Sequence, residues 1–195
     1  METKPEKIDK IVLANLYKDE VLELTYKNEQ LNFILSQPPK KEWIAKHPFI
    51  KVDRKDKNGN KIKVPYEYLP IDKTEYLLRK IYKRFKVEIK NVMPLFNAVQ
   101  VTVRVHYFHP IYNEWLFHDG CGAEELQTAS RTGGVKPDFS NVNRGAVKMA
   151  TPLAKSLAVK DACDHFGDLF GANLNRKDTL QFSIDENLKQ KFFEI

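Results

Sequence analysis

The stretch Arg144–Gly171, RGAVKMATPLAKSLAVKDACDHFGDLFG, constrains the fold more than any other part of the chain, because it is the longest uninterrupted run of good helix formers. It closes on Phe166-Gly167 and again on Phe170-Gly171. Glycine just past the last apolar position is a helix stop, since it enters the left-handed region without a Cβ penalty. Pro152 suits a first helical turn, with Thr151 as the cap and Ala146–Ala150 as a preceding turn or kinked extension. At 100° per residue, Val147, Ala150, Ala154, Leu157, Ala158 and Ala162 share one face made mostly of small side chains. Such a face admits close approach, and a sheet is the usual neighbour. Val159, Cys163 and Phe166 form a second apolar patch, which predicts burial on that side too, against another layer or a second subunit.

Upstream, residues 97–108, NAVQVTVRVHYF, alternate Val99, Val101, Val103 and Val105 with Gln100, Thr102, Arg104 and His106. That is the period of a half-buried strand. Strands over 86–93, 97–108 and 111–121, turned at His109-Pro110, predict an antiparallel meander. Before it, residues 73–84 read as a helix started by an Asp72/Glu75 capping box. Its inner face holds Tyr76, Leu77, Ile81 and Phe85; its outer face holds Arg79, Lys80, Lys83 and Arg84. Residues 50–66 read as a hairpin around Asn58-Gly59, with Ile50, Val52, Ile62 and Val64 alternating among lysines. A helix over 8–36 ends at Gln37-Pro38-Pro39, followed by an apolar loop anchor of Trp43, Ile44, Pro48 and Phe49. Residues 126–143 form a long polar connection with Gly133-Gly134, and a short helix is expected near 185–193.

The fold class is therefore α+β: an antiparallel β-β-β meander packed on one long helix, with an N-terminal helix and hairpin extension. The domain reading is 1–48 as a helical extension, 49–178 as the core and 179–195 as a tail. The 195-residue length suits one domain. No run of about 18 apolar residues occurs, which argues against a membrane helix. The start, METKPEKIDK, lacks the apolar stretch of a secretory signal, so the cytoplasm is expected. Cys121 and Cys163 are expected as reduced thiols.

Charge narrows the partner class. The net charge is +6, but residues 37–90 alone carry 16 Lys and Arg against 7 Asp and Glu, an excess of nine. Tyr66, Tyr68, Tyr76, Tyr82 and Phe85 are interleaved with these cations, as on a polyanion-binding surface. A lysine-rich solvated exterior has the same charge.

The order β-β-β-α, with a helix closing on Phe-Gly, resembles the Rad fifty-two superfamily of single-strand annealing proteins, its phage-type recombinases above all. The resemblance is carried by Tyr66–Phe85, by Val101–Val105 followed by His118-Asp119-Gly120-Cys121-Gly122, and by Ala154–Gly171. It implies a non-enzymatic protein without cofactor or metal, acting in phage or bacterial recombination and repair in the (host) cytoplasm. It further implies a homo-oligomeric ring or filament that holds single-stranded DNA along a basic groove, and a single-strand-binding protein is a possible further partner. In the family, a Lys-Arg pair and a third basic residue on the long helix face the DNA. Here Lys160 matches the first position, while Asp161 and Asp164 occupy the others. The expected DNA contacts are Lys160, Lys148, Lys155 and Arg144, with Arg131 and Lys136 in the glycine loop, Arg104 on the central strand, and Arg79 and Lys83 on the basic helix.

Several constellations allow other chemistry. Asp161 and His165, four apart, form a buried pair on the small-residue face, structural or acid/base. His106, His109, His118, Cys121, Cys163 and His165 include His106-x-x-His109 and His118-x-x-Cys121, spacings open to zinc. Asp119, Asp161, Asp164 and Asp168 are open to Mg²⁺, which would make the chain a metal-dependent nuclease or other DNA-processing enzyme. Trp115 and Tyr107 are candidates to stack on bases or to fill the core. The third class is a protein-interaction module whose basic half docks an acidic partner.

Overall fold

A computed structural model describes residues 19–55, 60–128 and 142–176. It divides into two units, one carrying the first helix to Ile34 and the other spanning Leu35–Asn175. The first helix, α1 (Asp19–Leu35), leaves Leu24, Tyr26, Phe33 and Ile34 exposed and carries a Glu23–Lys27 pair one turn apart. The part of this helix expected before Asp19, the Asn58-Gly59 turn, Arg131, Lys136 and the helix near 185–193 lie outside the described residues.

In the second unit, β1 (Ala45–Lys55) and β2 (Lys61–Tyr68) form the antiparallel hairpin, followed by α2 (Ile71–Ile81). Then come β3 (Phe85–Leu95), β4 (Ala98–Phe108) and β5 (Trp115–Glu125), an antiparallel meander in the order β3-β4-β5. The long helix α3 (Ala146–Asp164) completes the unit. The α+β class is as the sequence implies.

The core is built where two patterns meet. Val99, Val101, Val103, Val105 and Tyr107 of β4 are buried and alternate with half-buried polar neighbours. Ala150, Ala154, Ala158 and Ala162 of α3, four apart and buried, lie over them and over β5. Each fully buried valine contributes roughly 1.5–3 kcal/mol by leaving water. The alanine stripe is matched by Gly120 and Gly122 on β5. A Cβ on Gly120 would fall 2.2 Å from the Ala158 carbonyl oxygen, and one on Gly122 2.4 Å from that of Ala154. Helix backbone and strand backbone touch here, and only glycine leaves the room.

Several boundaries differ from expectation. The third strand runs 115–125 rather than 111–121, because 110–114 belong to the turn. There His109 Nδ1 accepts the Tyr112 N–H at 3.2 Å, and Asn113 takes a left-handed φ of 54°. The two glycines thus sit within a strand, not at a hairpin end. α3 begins at Ala146 behind Gly145 (φ 89°) and runs through Pro152 without a break, so Thr151 is no cap. Its hydroxyl instead donates to the Val147 carbonyl at 3.1 Å. Val147 is exposed, because the helix meets the sheet on its alanines. The helix ends at Asp164 with His165 as its cap; Gly167 (φ 115°) follows three residues on, and the left-handed Gly171 (φ 102°) closes the short 3-10 turn Asp168–Phe170 instead of the helix.

α2 has Pro70 at its N-cap and no side-chain cap, so the Asp72/Glu75 box does not form; Asp72 pairs with Lys73. Its buried residues are Thr74, Leu77 and Leu78, at helical spacing, and Tyr76 faces outward. α2 closes the second apolar face of α3: Val159, Cys163 and Phe166 join one core with Leu77, Leu78 and Tyr82. The Tyr82 and Phe166 ring centroids are 4.6 Å apart. Another layer of the same chain, not a second subunit, therefore covers that patch. Burial pushes the Cys163 thiol up, so it is an unreactive core residue. Of the expected loop anchor, Trp43 packs edge-on against Tyr76 at 5.6 Å, while Phe49 is exposed.

Candidate nucleic-acid interface

The hairpin is two-sided. From Lys51 onward the register sets Val52 opposite Val64, Asp53 opposite Lys63 and Arg54 opposite Ile62. One face therefore carries Val52, Val64, Ile62 and Arg54, and the other Lys51, Asp53, Lys61 and Lys63. The Arg54 guanidinium donates to the Leu174 carbonyl at 2.8 Å. Asn175 brackets Glu67, accepting its N–H at 2.9 Å and donating to its carbonyl at 2.5 Å. These bonds moor the hairpin to the segment after α3. The lysine face is left exposed, and Lys51, Lys61 and Lys63 form no ion pair among the described residues. Alternate residues of a strand are about 7 Å apart, so the ammonium groups form a row rather than a point.

Lys160 lies at the foot of this hairpin. It is half-buried, with its ammonium 4.7 Å from the centre of the Tyr68 ring. Burial pushes its pKa down, and the Asp164 carboxylate acts in the opposite direction. Asp164 in turn is raised to about 6, by burial first and then by Asp161, with Lys160 and His165 opposing. The Asp164 carboxyl, where the resemblance would place a basic residue, is thus held above the usual carboxylate range.

The other expected contacts do not converge on one groove. Lys148 and Lys155 are exposed, seven apart on one stripe of α3, with Arg144 just before the helix. Arg79 is paired with Glu75 at 3.0 Å, and Lys83 is exposed at a left-handed φ of 56°. Arg104 is on the outer face of the sheet, opposite α3, so it and Lys160 are on different sides. There it is held bidentately by Asp119, at 2.6 and 2.7 Å. That bond keeps the Asp119 carboxyl low and the Arg104 guanidinium high.

The outer sheet face has a character of its own. Trp115 and Phe117 of β5 are 52% and 50% exposed, and Phe108 lies beside Trp115 at 5.7 Å. The Arg84 guanidinium lies 3.8 Å over the Phe108 ring, and that of Arg104 3.9 Å over Phe117. His106 bonds Glu88 at 2.9 Å, and Lys90 approaches Glu88 at 3.4 Å. Tyr107, the other stacking candidate, is in the core, where its hydroxyl lies 3.1 Å from His118 Nε2. Phe117 and the hairpin lysines were not among the expected contacts, although the period-two pattern of their strands places them on exposed faces.

The constellations open to catalysis are apart. Asp161 accepts the backbone N–H of Cys121 at 2.9 Å, fastening α3 to β5 rather than pairing with His165. Asp161 and His165 are both exposed, so they are not a buried pair. His165 faces His118, ring centres 5.2 Å apart. Asp119 is taken by Arg104, and Asp168 accepts from Asn173. Among the described residues, no three His, Cys, Asp or Glu side chains gather into a metal-binding group.

One apolar strip stays open. Ile89 and Val92 stand opposite Val103 and Val101, on the inner side of β3, yet they are 52% and 49% exposed. β3 has no partner on its outer edge among the described residues. No helix among them is long and apolar enough to cross a membrane. No protein-family model and no curated protein sequence matches the chain.

Proposed function

We propose that this protein binds single-stranded DNA without sequence preference and promotes the pairing of complementary strands, as a self-assembling, non-enzymatic annealing protein of the Rad fifty-two type. The exposed lysine row Lys51, Lys61 and Lys63 carries the reading. Three ammonium groups on one face of the hairpin, with Asp53 as the carboxylate opposite Lys63 but no ion pair among the described residues, suit a polyanion with regularly spaced charge. Lys160 at the foot of the hairpin adds a cation beside it, and Lys148, Lys155 and Arg144 are further exposed cations along α3. The β-β-β-α order and the helix closing on Phe-Gly support the family side of the proposal. Self-assembly draws support from Ile89 and Val92, about half exposed on a strand that has no outer partner among the described residues, since an apolar sheet face is normally covered.

Titration of a fluorescent oligothymidine in low salt tests the reading, together with light scattering and a strand-pairing assay. Binding is expected to weaken linearly in log salt, by about 0.7 in log K for each phosphate neutralised. A particle larger than the monomer is expected, as is faster pairing of complementary strands. No binding at low salt overturns the proposal.

A further inference from the structure

Cations account for phosphate binding, but they do not account for two half-exposed aromatic rings on the opposite side of the sheet from α3. We infer that the outer face of β3–β4–β5 is a platform on which unpaired nucleobases stack, with Trp115 and Phe117 as the stacking rings. The inference deepens the single-strand reading and rests on it.

β5 alternates Trp115, Phe117 and Asp119 outward with Leu116 and His118 inward. The two rings are therefore held on one side of a rigid strand, about 7 Å apart. A single-stranded backbone can take that step from base to base. The central strand adds Phe108 next to Trp115. Each ring has a guanidinium within reach: Arg84 lies 3.8 Å over Phe108 and 5.8 Å from Trp115, and Arg104 lies 3.9 Å over Phe117. A planar guanidinium on a ring continues the stacking surface; the N–H groups of Arg84 stay available to a phosphate, whereas Asp119 already holds two of those of Arg104.

Charge selects the occupant. On this face Arg84, Lys86, Lys90 and Arg104 stand against Glu88, Asp119 and, at the far end of β5, Glu125; Lys90 and Arg104 are paired with Glu88 and Asp119, which leaves Arg84 and Lys86 as the positive charge nearest the rings. An uncharged apolar partner would leave Arg84 and Lys86 desolvated and unmatched, whereas a nucleotide strand offers a π face and an anion in each repeat. Every base has such a face, so the platform is tolerant of sequence. A base stacked on a ring gives up one face and keeps its pairing edge, so this side holds strands by their bases, while the lysine face of the hairpin holds them by their phosphates.

The test uses a Trp43→Phe variant, which leaves Trp115 as the only tryptophan. Oligothymidine is compared with an abasic deoxyribose-phosphate strand of the same length and charge. The platform predicts that oligothymidine quenches Trp115 emission and binds about tenfold more tightly than the abasic strand. Trp115→Ala and Phe117→Ala are expected to bring the two affinities together, and Trp115→Phe to keep most of the difference. Equal binding of both strands with unchanged Trp115 emission overturns the platform and leaves the single-strand reading standing. Binding of neither strand at low salt overturns both and assigns the face to a protein partner.

Discussion

On its inner side the three-stranded sheet presents Val101, Val103 and Val105 to an alanine stripe; on its outer side the same strands present Arg104, His106, Trp115 and Phe117 to solvent. Packing on the inner side leaves no choice of residue, since helix and strand backbones meet at Gly120 and Gly122. On the outer side nothing in the described unit requires a particular side chain. Yet the residues there are organised: guanidinium on ring, guanidinium on carboxylate, imidazole on carboxylate. The inner face explains the fold, and the outer face asks for a ligand.

The sharpest way to break this contrast is to put a side chain where the inner face has none. Gly120→Val would drive a Cβ into the Ala158 carbonyl and the Ala162 N–H, and α3 cannot retreat without opening the valine ladder. A destabilisation of about 3 kcal/mol or more is expected, read as a fall in Tm of about 10 °C. An unchanged Tm would show that the helix does not sit on the strand.

A pH series probes the region between the two faces. The Asp164 pKa is raised to about 6 from an ordinary 3.8, so the fold favours the protonated acid. That contribution is fully present below about pH 4 and is lost as the pH rises through 6. Asp164→Asn is therefore expected to raise Tm at pH 7.5 and to change nothing at pH 3.5. Asp164 is an exposed residue, so water screens the effect and the gain is modest. The same substitution removes a carboxylate beside Lys160 and should tighten oligonucleotide binding at pH 7.5. A larger gain at low pH than at high would reverse the assignment.

The smallest expected effect belongs to the outer face itself. Asp119→Asn releases Arg104 from its bidentate partner, and because the pair is exposed, Tm should stay within error of the parent. Oligonucleotide affinity should rise about two- to threefold, and Arg104→Ala should lower it. No change in affinity for either variant would remove Arg104 from the binding surface.

How far the sequence reveals all this differs between the faces for a physical reason. Periodicity reports burial, so the valine alternation of β4 and the alanine stripe are legible from residues alone. The capping box at Asp72 and the cap at Thr151 are not realised, because Pro70 and Gly145 start the helices instead. The second apolar face of α3 reads equally well as an interface or a core, and only the placement of α2 decides. Charged residues carry no period that names their partners. Hence Arg104 reads as a free cation until Asp119 is seen opposite it, and Asp161 reads as half of an Asp–His pair until its bond to the Cys121 N–H is seen. Trp115 is legible as a stacking candidate; Phe117 is visible only once the strand register places it beside Arg104.

In the proposed function, the hairpin's lysine face binds the phosphates of single-stranded DNA. The most direct test is the salt dependence of oligothymidine affinity for the parent and for the triple variant Lys51→Gln, Lys61→Gln, Lys63→Gln. If the row neutralises three phosphates, the variant's slope of log K against log salt is shallower by about 2 and its low-salt affinity falls at least about tenfold. Coincident slopes for the two proteins would contradict the account.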